Sequence, residues 1–274
     1  MEPIYFAHLT DIHINAPAKN NPLFGIDTTA KLRKVFEDIR GLKTKPSFIL
    51  ISGDLTQDGD LEDYRHLKAL IDEESAKAGI PVHVGLGNHD FRAPFREGYL
   101  EEAPSEESYY YSFVDRGLRI VMLNTQVPGT HDGRLDEVQL AWLEATLNEP
   151  AEQGSIVVLH HPVTATPTEL MDSHLLQNPQ DLAEAISGRG VIGLLSGHIH
   201  FHNIGSLNGI PSCAATGVAF GLDPTARHSM DFLDNSGYNL VTVKNGQIAV
   251  QPRYLPGEHR LVYEYDPQKL TAHK

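Results

Sequence analysis

Read from the amino terminus, short apolar runs alternate with stretches of helical periodicity. Ile4 to Leu9 (I-Y-F-A-H-L) predicts a strand. After a Pro- and Asn-rich loop from Ala16 to Gly25, Leu32, Val35, Phe36, Ile39 and Leu42 recur at helical spacing, with Thr28 or Thr29 as N-cap. Ser47 to Ile51 (S-F-I-L-I) is a continuous apolar run of the kind carried by a strand covered on both faces. Leu61, Tyr64, Leu67, Leu70 and Ile71 outline a second helix that closes near Gly79, and Pro81 to Gly85 supplies the next strand. This β-α-β-α-β rhythm implies parallel strands, whose polar ends gather along one edge of a sheet.

The middle and last parts of the chain are less helical. Tyr109 to Val114 and Leu118 to Leu123 read as a hairpin, Val138 to Leu147 as a helix, Ser155 to Leu159 as a buried strand, and Gln180 to Ser187 as a weak helix. Val191 to Leu195 is another apolar run. Asn208-Gly209 and Asn245-Gly246 are hairpin turn signals, each flanked by strand-like segments, Ile204 to Leu207 with Ile210 to Ala214 and Tyr238 to Val243 with Gln247 to Gln251. Residues 215 to 236 show no periodicity and read as a long loop of the functional kind. The expected architecture is therefore one mixed α/β domain over residues 1–251, two packed sheets with helices outside. Residues 252–274 form a tail without a predicted element, a lid or a subunit contact.

The ends of these strands carry an unusual cargo. Asp11 and His13 follow the first, Asp54 the second, Asn88 and His89 the third, His160 and His161 the next, and His198 and His200 the run at Val191. Burying such groups without partners costs several kcal/mol each, on the order of 2–7, so core packing does not ask for them. Residues i and i+2 of an extended segment share a side, so Asp11 with His13, and His198 with His200, can reach one small volume. Oxygen and imidazole donors without thiolate suit a dinuclear site of first-row ions such as Fe, Mn, Zn, Co or Ni, and disfavour Ca and Mg.

Composition narrows the partners. The 274 residues are 41% hydrophobic and 21% charged, as in an ordinary globular protein. A formal net charge of -14 argues against nucleic acid or an anionic membrane as partner, so an anionic substrate needs a local positive feature, which metal ions would provide. The single cysteine, Cys213, excludes an internal disulfide and reads as inert packing. No secretory signal or membrane-length apolar run is present, and a cytoplasmic location is expected. Whether the chain forms a homo-oligomer is left open.

The motifs T-D-I-H, G-D-L-T, G-N-H-D, H-H-P and G-H-I-H, spread over residues 10 to 200, resemble those of the calcineurin-like metallophosphoesterase superfamily, and within it the class III cyclic nucleotide phosphodiesterases and their glycerophosphodiesterase relatives. The resemblance implies a four-layer sandwich, two mixed sheets packed face to face between helices. It also implies that Asp11, His13, Asp54 and His200 hold one metal, with Fe and Mn favoured, and that Asp54 bridges to a second held by Asn88, His160 and His198. It implies in-line attack on a phosphodiester by a hydroxide held between the ions, with His89 as general acid. Asp90 is then expected to fix the His89 tautomer. The implied substrate is a small anionic phosphoester, a 3′,5′-cyclic nucleotide such as cAMP being favoured. The same metal core also serves phosphomonoesters, glycerophosphodiesters and nucleotide diphosphates, and a non-catalytic scaffold of this fold is the reading from another class.

The remaining histidines divide by position. His161 is a candidate for the substrate side or for supporting a ligating neighbour, and His202 for the same cleft, each weighed against simple packing. His8, His66 and His83 lie within strand or helix patterns and read as structural. His131, His174, His228, His259 and His273 fall in predicted loops or the tail and read as solvated. Phe201, Phe220 and Phe232 are weighed as the lining of a base or leaving-group pocket against core packing, and core is favoured.

Overall fold

The computed structural model describes residues 2–19, 22–172, 174–257 and 259–267; the expectations for His273 and for residues 268–274 of the tail lie outside them. In chain order the first elements are β1 (Ile4–Leu9), α1 (Thr28–Arg40), β2 (Ile49–Ile51), α2 (Leu61–Ala78), β3 (Val82–Val84) and α3 (Arg92–Gly98). Then come β4 (Tyr111–Asp115), β5 (Leu118–Met122), α4 (Glu137–Leu147), β6 (Ser155–Val158), α5 (Glu169–Asp172), α6 (Pro179–Ile186) and β7 (Val191–Ser196). The last part is all strand: β8 (Asn203–Leu207), β9 (Ile210–Ala214), β10 (Gly221–Leu222), β11 (Met230–Asp234), β12 (Gly237–Lys244), β13 (Gln247–Tyr254) and β14 (Arg260–Tyr265).

These strands form a five-stranded sheet in the order β13-β12-β1-β2-β3, a six-stranded sheet β4-β5-β6-β7-β9-β8 and a small sheet β10-β11-β14. β1, β2 and β3 are parallel, as are β5, β6, β7 and β9, so their carboxyl ends do gather at common edges. Alternation along buried strands produces the layers. Ala7, Leu9, Ile49 and Ile51 face α1 and α2, whereas Ile4, Phe6 and Leu50 face Ile120, Met122, Ile156 and Val158 of the other sheet. Val121, Val157 and Leu194 point outward onto α4 and α6. Every strand residue of β2, β5 and β6 is buried, as expected for strands covered on both faces. The result is the expected mixed α/β four-layer sandwich.

Three expectations change. The N-cap of α1 is Asp27, whose carboxylate accepts the Ala30 N–H at 2.9 Å, while Thr28 is already helical. The segment 215–236 is not all loop, since it contains β10 and β11. The tail is not free of structure either: β13 runs on through Tyr254, and β14 pairs antiparallel with β11. These strands escaped detection because they are short or half-exposed and carry no period-two pattern.

Candidate active site

β1 ends at Leu9 and β7 at Ser196, so the pairs Asp11/His13 and His198/His200 lie beyond their strands. Their convergence does not come from strand alternation. Asp11 (φ 54), His13 (φ 43), Asp54 (φ 49), His198 (φ 70) and His200 (φ 54) all adopt the left-handed region. Each such non-glycine residue costs on the order of 1–3 kcal/mol and persists only where its surroundings over-determine it. Here the loops fix one another through their backbones: the N–H groups of Ile12 and His13 both donate to Asp54 O at 3.0 Å, that of Asp11 to Gly53 O at 3.0 Å, and that of Gly197 to His160 O at 3.0 Å. The approach is close enough to require glycine at Gly197, where a Cβ would stand 1.8 Å from Thr10 Oγ1, and at Gly87, where it would stand 2.3 Å from Asp54 Oδ1.

Two donor groups result. Asp11, His13, Asp54 and His200 form one; Asp54, His160 and His198 form the other; within each, donor atoms lie within 4.8 Å of one another. Asp54 belongs to both. Its Oδ1 accepts the His89 N–H at 2.9 Å, while Oδ2 stands 3.7 Å from His13 Nε2 and 3.4 Å from His160 Nε2. His13 Nε2 and His200 Nε2 approach to 3.3 Å, and Asp11 Oδ1 lies 3.2 Å from His200 Nε2. The outer nitrogens are set by carbonyls that can only accept: His160 Nδ1–H donates to Ser52 O and His200 Nδ1–H to Phe220 O, both at 3.0 Å. Each ring therefore presents Nε2 inward, the usual way a ligating histidine is oriented.

Charge in this volume is strongly coupled. Burial alone would raise the Asp11 carboxyl, but the charge and hydrogen bond of His200 and the charge of His160 hold it down at about 2. Burial opposes ionisation of Asp54 too, yet His160 and His89 hold it well below the ordinary carboxylate range. Burial would depress His160, and Asp54 and Asp11 instead lift it to about 9. Burial pushes His13 down to about 3 and, with the charges of His161 and His160, depresses His198 strongly. Two buried carboxylates and four inward imidazoles thus draw positive charge into one place. Both ring nitrogens of His198 are buried without a hydrogen bond among the described residues, and this donor set fits first-row metal ions.

Around this core the expected residues take various positions. Asn88 Oδ1 is 3.1 Å from His160 Nε2, beside the second group, and its amide donates to His131 Nδ1 at 2.7 Å. His89 lies on the cavity wall with Nδ1–H donating to Gln57 O at 2.9 Å, which leaves Nε2 for the cavity. The expectation that Asp90 orients His89 is corrected. The Asp90 carboxylate is fully buried and accepts from Gly87 N at 2.8 Å, Leu55 N at 3.1 Å, Thr56 N at 3.3 Å and Tyr64 Oη at 3.0 Å, tying the Asp54 loop to the Asn88 loop. Burial, then the Asp54 charge, pushes its carboxyl up to about 6, against the pull of the Gly87, Leu55 and Tyr64 donors.

Of the two places open to His161, the structure takes the supporting one and not the substrate side. His161 is fully buried, takes the Thr125 hydroxyl on Nδ1 at 2.7 Å, and donates Nε2–H to His131 O at 3.2 Å. Its ring packs 4.5 Å from that of His198, so it supports that residue. His202 does not line the cavity, which removes it from the substrate side. His131 and His174, expected in solvent, do line it. No spacing signal marks these two, because each arrives on a loop; the only cue was that their loops follow β5 and β6 at the same edge.

The cavity over the two donor groups has a volume of about 440 Å³. One end is formed by the donors with His89, His131 and His174, the other by Phe24, Phe220, Met230, Phe232, Tyr263 and Tyr265. No Lys or Arg is among the described residues that line it. A second cavity, of about 410 Å³, meets the first at Gln57, Asn88, His89 and His131.

Among the described residues, no helix is long and apolar enough to cross a membrane. The chain is 32% identical over 219 residues to a cAMP/cGMP dual specificity phosphodiesterase of Mycobacterium tuberculosis, covering 80% of this chain and 68% of that one. It is 28% identical over 250 residues to the 3′,5′-cyclic adenosine monophosphate phosphodiesterase CpdA of Haemophilus influenzae, covering 90% and 89%. Among solved structures, a dimetal phosphatase from Danio rerio superposes with a TM-score of 0.62 at 15% identity, covering 91% of this chain and 99% of that one, a likeness of fold. The profile of the calcineurin-like phosphoesterases matches residues 4–202, the span that holds every donor described above: the chain belongs to that family and is a metal-dependent phosphoester hydrolase.

Proposed function

We propose that this chain is a two-metal phosphodiesterase whose preferred substrates are 3′,5′-cyclic nucleotides, cAMP among them. The observation that carries the two-metal reading is that Asp54 is shared by both donor groups. Asp11, His13, Asp54 and His200 would hold one ion, and Asp54, Asn88, His160 and His198 the other, with Fe and Mn the favoured pair. When bound, such ions supply a Lewis-acid centre that makes water nucleophilic near neutral pH and offsets charge on the phosphoryl oxygens.

The chain's own part is orientation and proton delivery. With Nδ1–H committed to Gln57 O, His89 carries a transferable proton only on Nε2, facing the cavity. Water adds its oxygen to phosphorus, the P–O3′ bond breaks, and His89 gives its proton to O3′, leaving a 5′-nucleotide. The proton released by the water balances the one His89 delivers. With no Lys or Arg among the described residues that line the cavity, the ions would be its main source of positive charge for the phosphate. The names of the relatives, cyclic nucleotide phosphodiesterases of two bacteria, support the substrate class.

The test is a panel of 3′,5′- and 2′,3′-cyclic nucleotides, glycerophosphodiesters and monoesters on metal-saturated protein, compared by kcat/KM. A preference for monoesters would overturn the diesterase reading, and a preference for glycerophosphodiesters the nucleotide one.

A further inference from the structure

We infer that Phe24, Phe232 and Tyr263 form a stacking subsite for the substrate's nucleobase, and that this subsite sets a preference for nucleotides over alkyl diesters. The inference rests on the phosphodiesterase reading above and concerns the far end of the same cavity.

Rings run outward from the metal donors without a break. His200 stacks on Phe220 at 4.1 Å and 10°, Phe220 meets Phe232 at 5.3 Å, and Phe232 meets Tyr263 at 5.5 Å. Phe24 closes the group, stacked on Tyr263 at 5.0 Å and 11°. Three separate segments converge here: the loop before α1, β11, and β14 near the end of the described chain. Local structure is bent to achieve it. Phe24 has φ 54, a costly conformation for a bulky side chain. The register of β11 against β14 shifts between Phe232 and Leu233, leaving Val262 as a bulge, a device that re-aims neighbouring side chains.

β14 contributes little to the main core: Leu261 is 52% and Tyr263 45% exposed. A tyrosine ring half in solvent at the mouth of an active site offers a π-face, and every base has a matching one. Among the described residues the shelf offers the hydroxyls of a glycerol little beyond the tyrosine O–H groups, whereas its ring faces match a planar base. A phosphoester held at the donors therefore directs a planar substituent, not a polyol, along this wall.

The experiment compares kcat/KM for 3′,5′-cAMP and for glycerophosphoglycerol, a diester with neither a ring nor an ammonium group, in metal-saturated protein. Tyr263→Ala and Phe232→Ala are expected to lower the cAMP-to-glycerophosphoglycerol ratio by about tenfold, mostly through KM for cAMP, the size of one lost base–aromatic contact. Tyr263→Phe should keep the wild-type ratio, and Leu261→Ala, on the same strand but outside the cavity, should not change it. If Tyr263→Ala fails to fold, Tyr263→Leu, apolar but without a π-face, replaces it. An unchanged ratio in the ring-removing variants overturns the inference.

Saturation-transfer NMR of 5′-AMP against ribose 5-phosphate, on metal-free protein, separates the two proposals. A wild-type protein that turns over no cyclic nucleotide yet saturates the adenine protons, and loses that signal in Tyr263→Ala, removes the substrate assignment and keeps the shelf. Absence of adenine saturation, including through a dimer that covers β14, removes the shelf.

Discussion

Replacing Asp90 separates a residue that builds the site from one that works in it. Its two carboxylate oxygens serve four donors: Oδ2 takes Gly87 N–H and Leu55 N–H, Oδ1 takes Thr56 N–H and Tyr64 O–H. In Asp90→Asn one oxygen becomes an NH₂ that faces donors. The cheaper orientation turns it toward Tyr64, whose hydroxyl can rotate, and leaves Thr56 N–H without an acceptor. One lost charged hydrogen bond and one orphaned buried donor give an expected loss of about 2 kcal/mol. Asp90→Ala abandons all four donors, and relaxation of the loops limits its loss to about 4 kcal/mol. The assay is urea unfolding of chelator-treated protein at pH 8, above the value of about 6 that burial gives the carboxyl. Because the Asp54 and Asn88 loops are joined through Asp90, both variants should also weaken metal binding by roughly 10- to 100-fold, as loss of outer-sphere support usually does. Losses under about 0.5 kcal/mol in both variants, together with disappearance of the acidic step from the pH–rate profile, would refute this reasoning and return Asp90 to service as the partner of His89.

Other consequences follow from the same geometry. His89→Ala is expected to lose about 10²- to 10⁴-fold in kcat on a cyclic nucleotide, and far less on a p-nitrophenyl diester, whose leaving group needs no proton; equal losses would remove the acid role. Asp54→Asn takes the charge shared by both donor groups, and metal analysis should find the protein depleted of both ions with kcat/KM down by roughly 100-fold or more; retention of one tight ion would break the bridging assignment. Arg253, paired through Nη2 with Asp38 at 2.7 Å, lies past residue 251, and with Tyr238 it holds the Asp38 carboxyl below its usual range. A depressed carboxyl adds stability above its unfolded pKa of about 3.9 and loses it as pH falls through the folded value. Thermal melts of Arg253→Ala should therefore show a deficit of up to about 1 kcal/mol near pH 7 that narrows toward pH 3, and a deficit constant with pH would contradict the pairing.

The sequence makes some of this legible for a topological reason. Parallel strands end on one edge, so polar residues at five such ends belong together before any coordinate is known, and Asp54, His160 and His198 meet as that logic requires. Where the logic stops is equally physical. Asp90 sits beside His89 in sequence, and nothing in G-N-H-D reveals that its carboxylate turns inward to four donors, two of them from the Asp54 loop and one from α2. His131 reaches Asn88 from a loop with no periodicity. β14 was hidden because a half-exposed strand at the wall of a cavity has no reason to alternate, its residues being chosen for the cavity and not for a core.

The two i, i+2 pairs show how a correct chemical reading can rest on the wrong geometry. Extended segments would put both donors of D-I-H, and both of H-I-H, on one side, whereas both members of each pair are left-handed. The residue between them explains how that conformation is held. Ile12 and Ile199 are both 0% exposed, the first packed in the core beneath α1 and α2, the second against Phe201 and Ala214. Burying an isoleucine contributes about 1.5–3 kcal/mol, comparable with the strain of a left-handed neighbour. The isoleucine therefore acts as an anchor driven into the core, and the flanking donors are held above it by backbone bonds such as those from Ile12 and His13 to Asp54. On this view the motif encodes three things at once, two donors and the apolar pin between them, and the pins place one donor pair in a single group while dividing the other between two. His13 joins Asp11, but His198 and His200 serve different groups that share Asp54, a donor from a third loop.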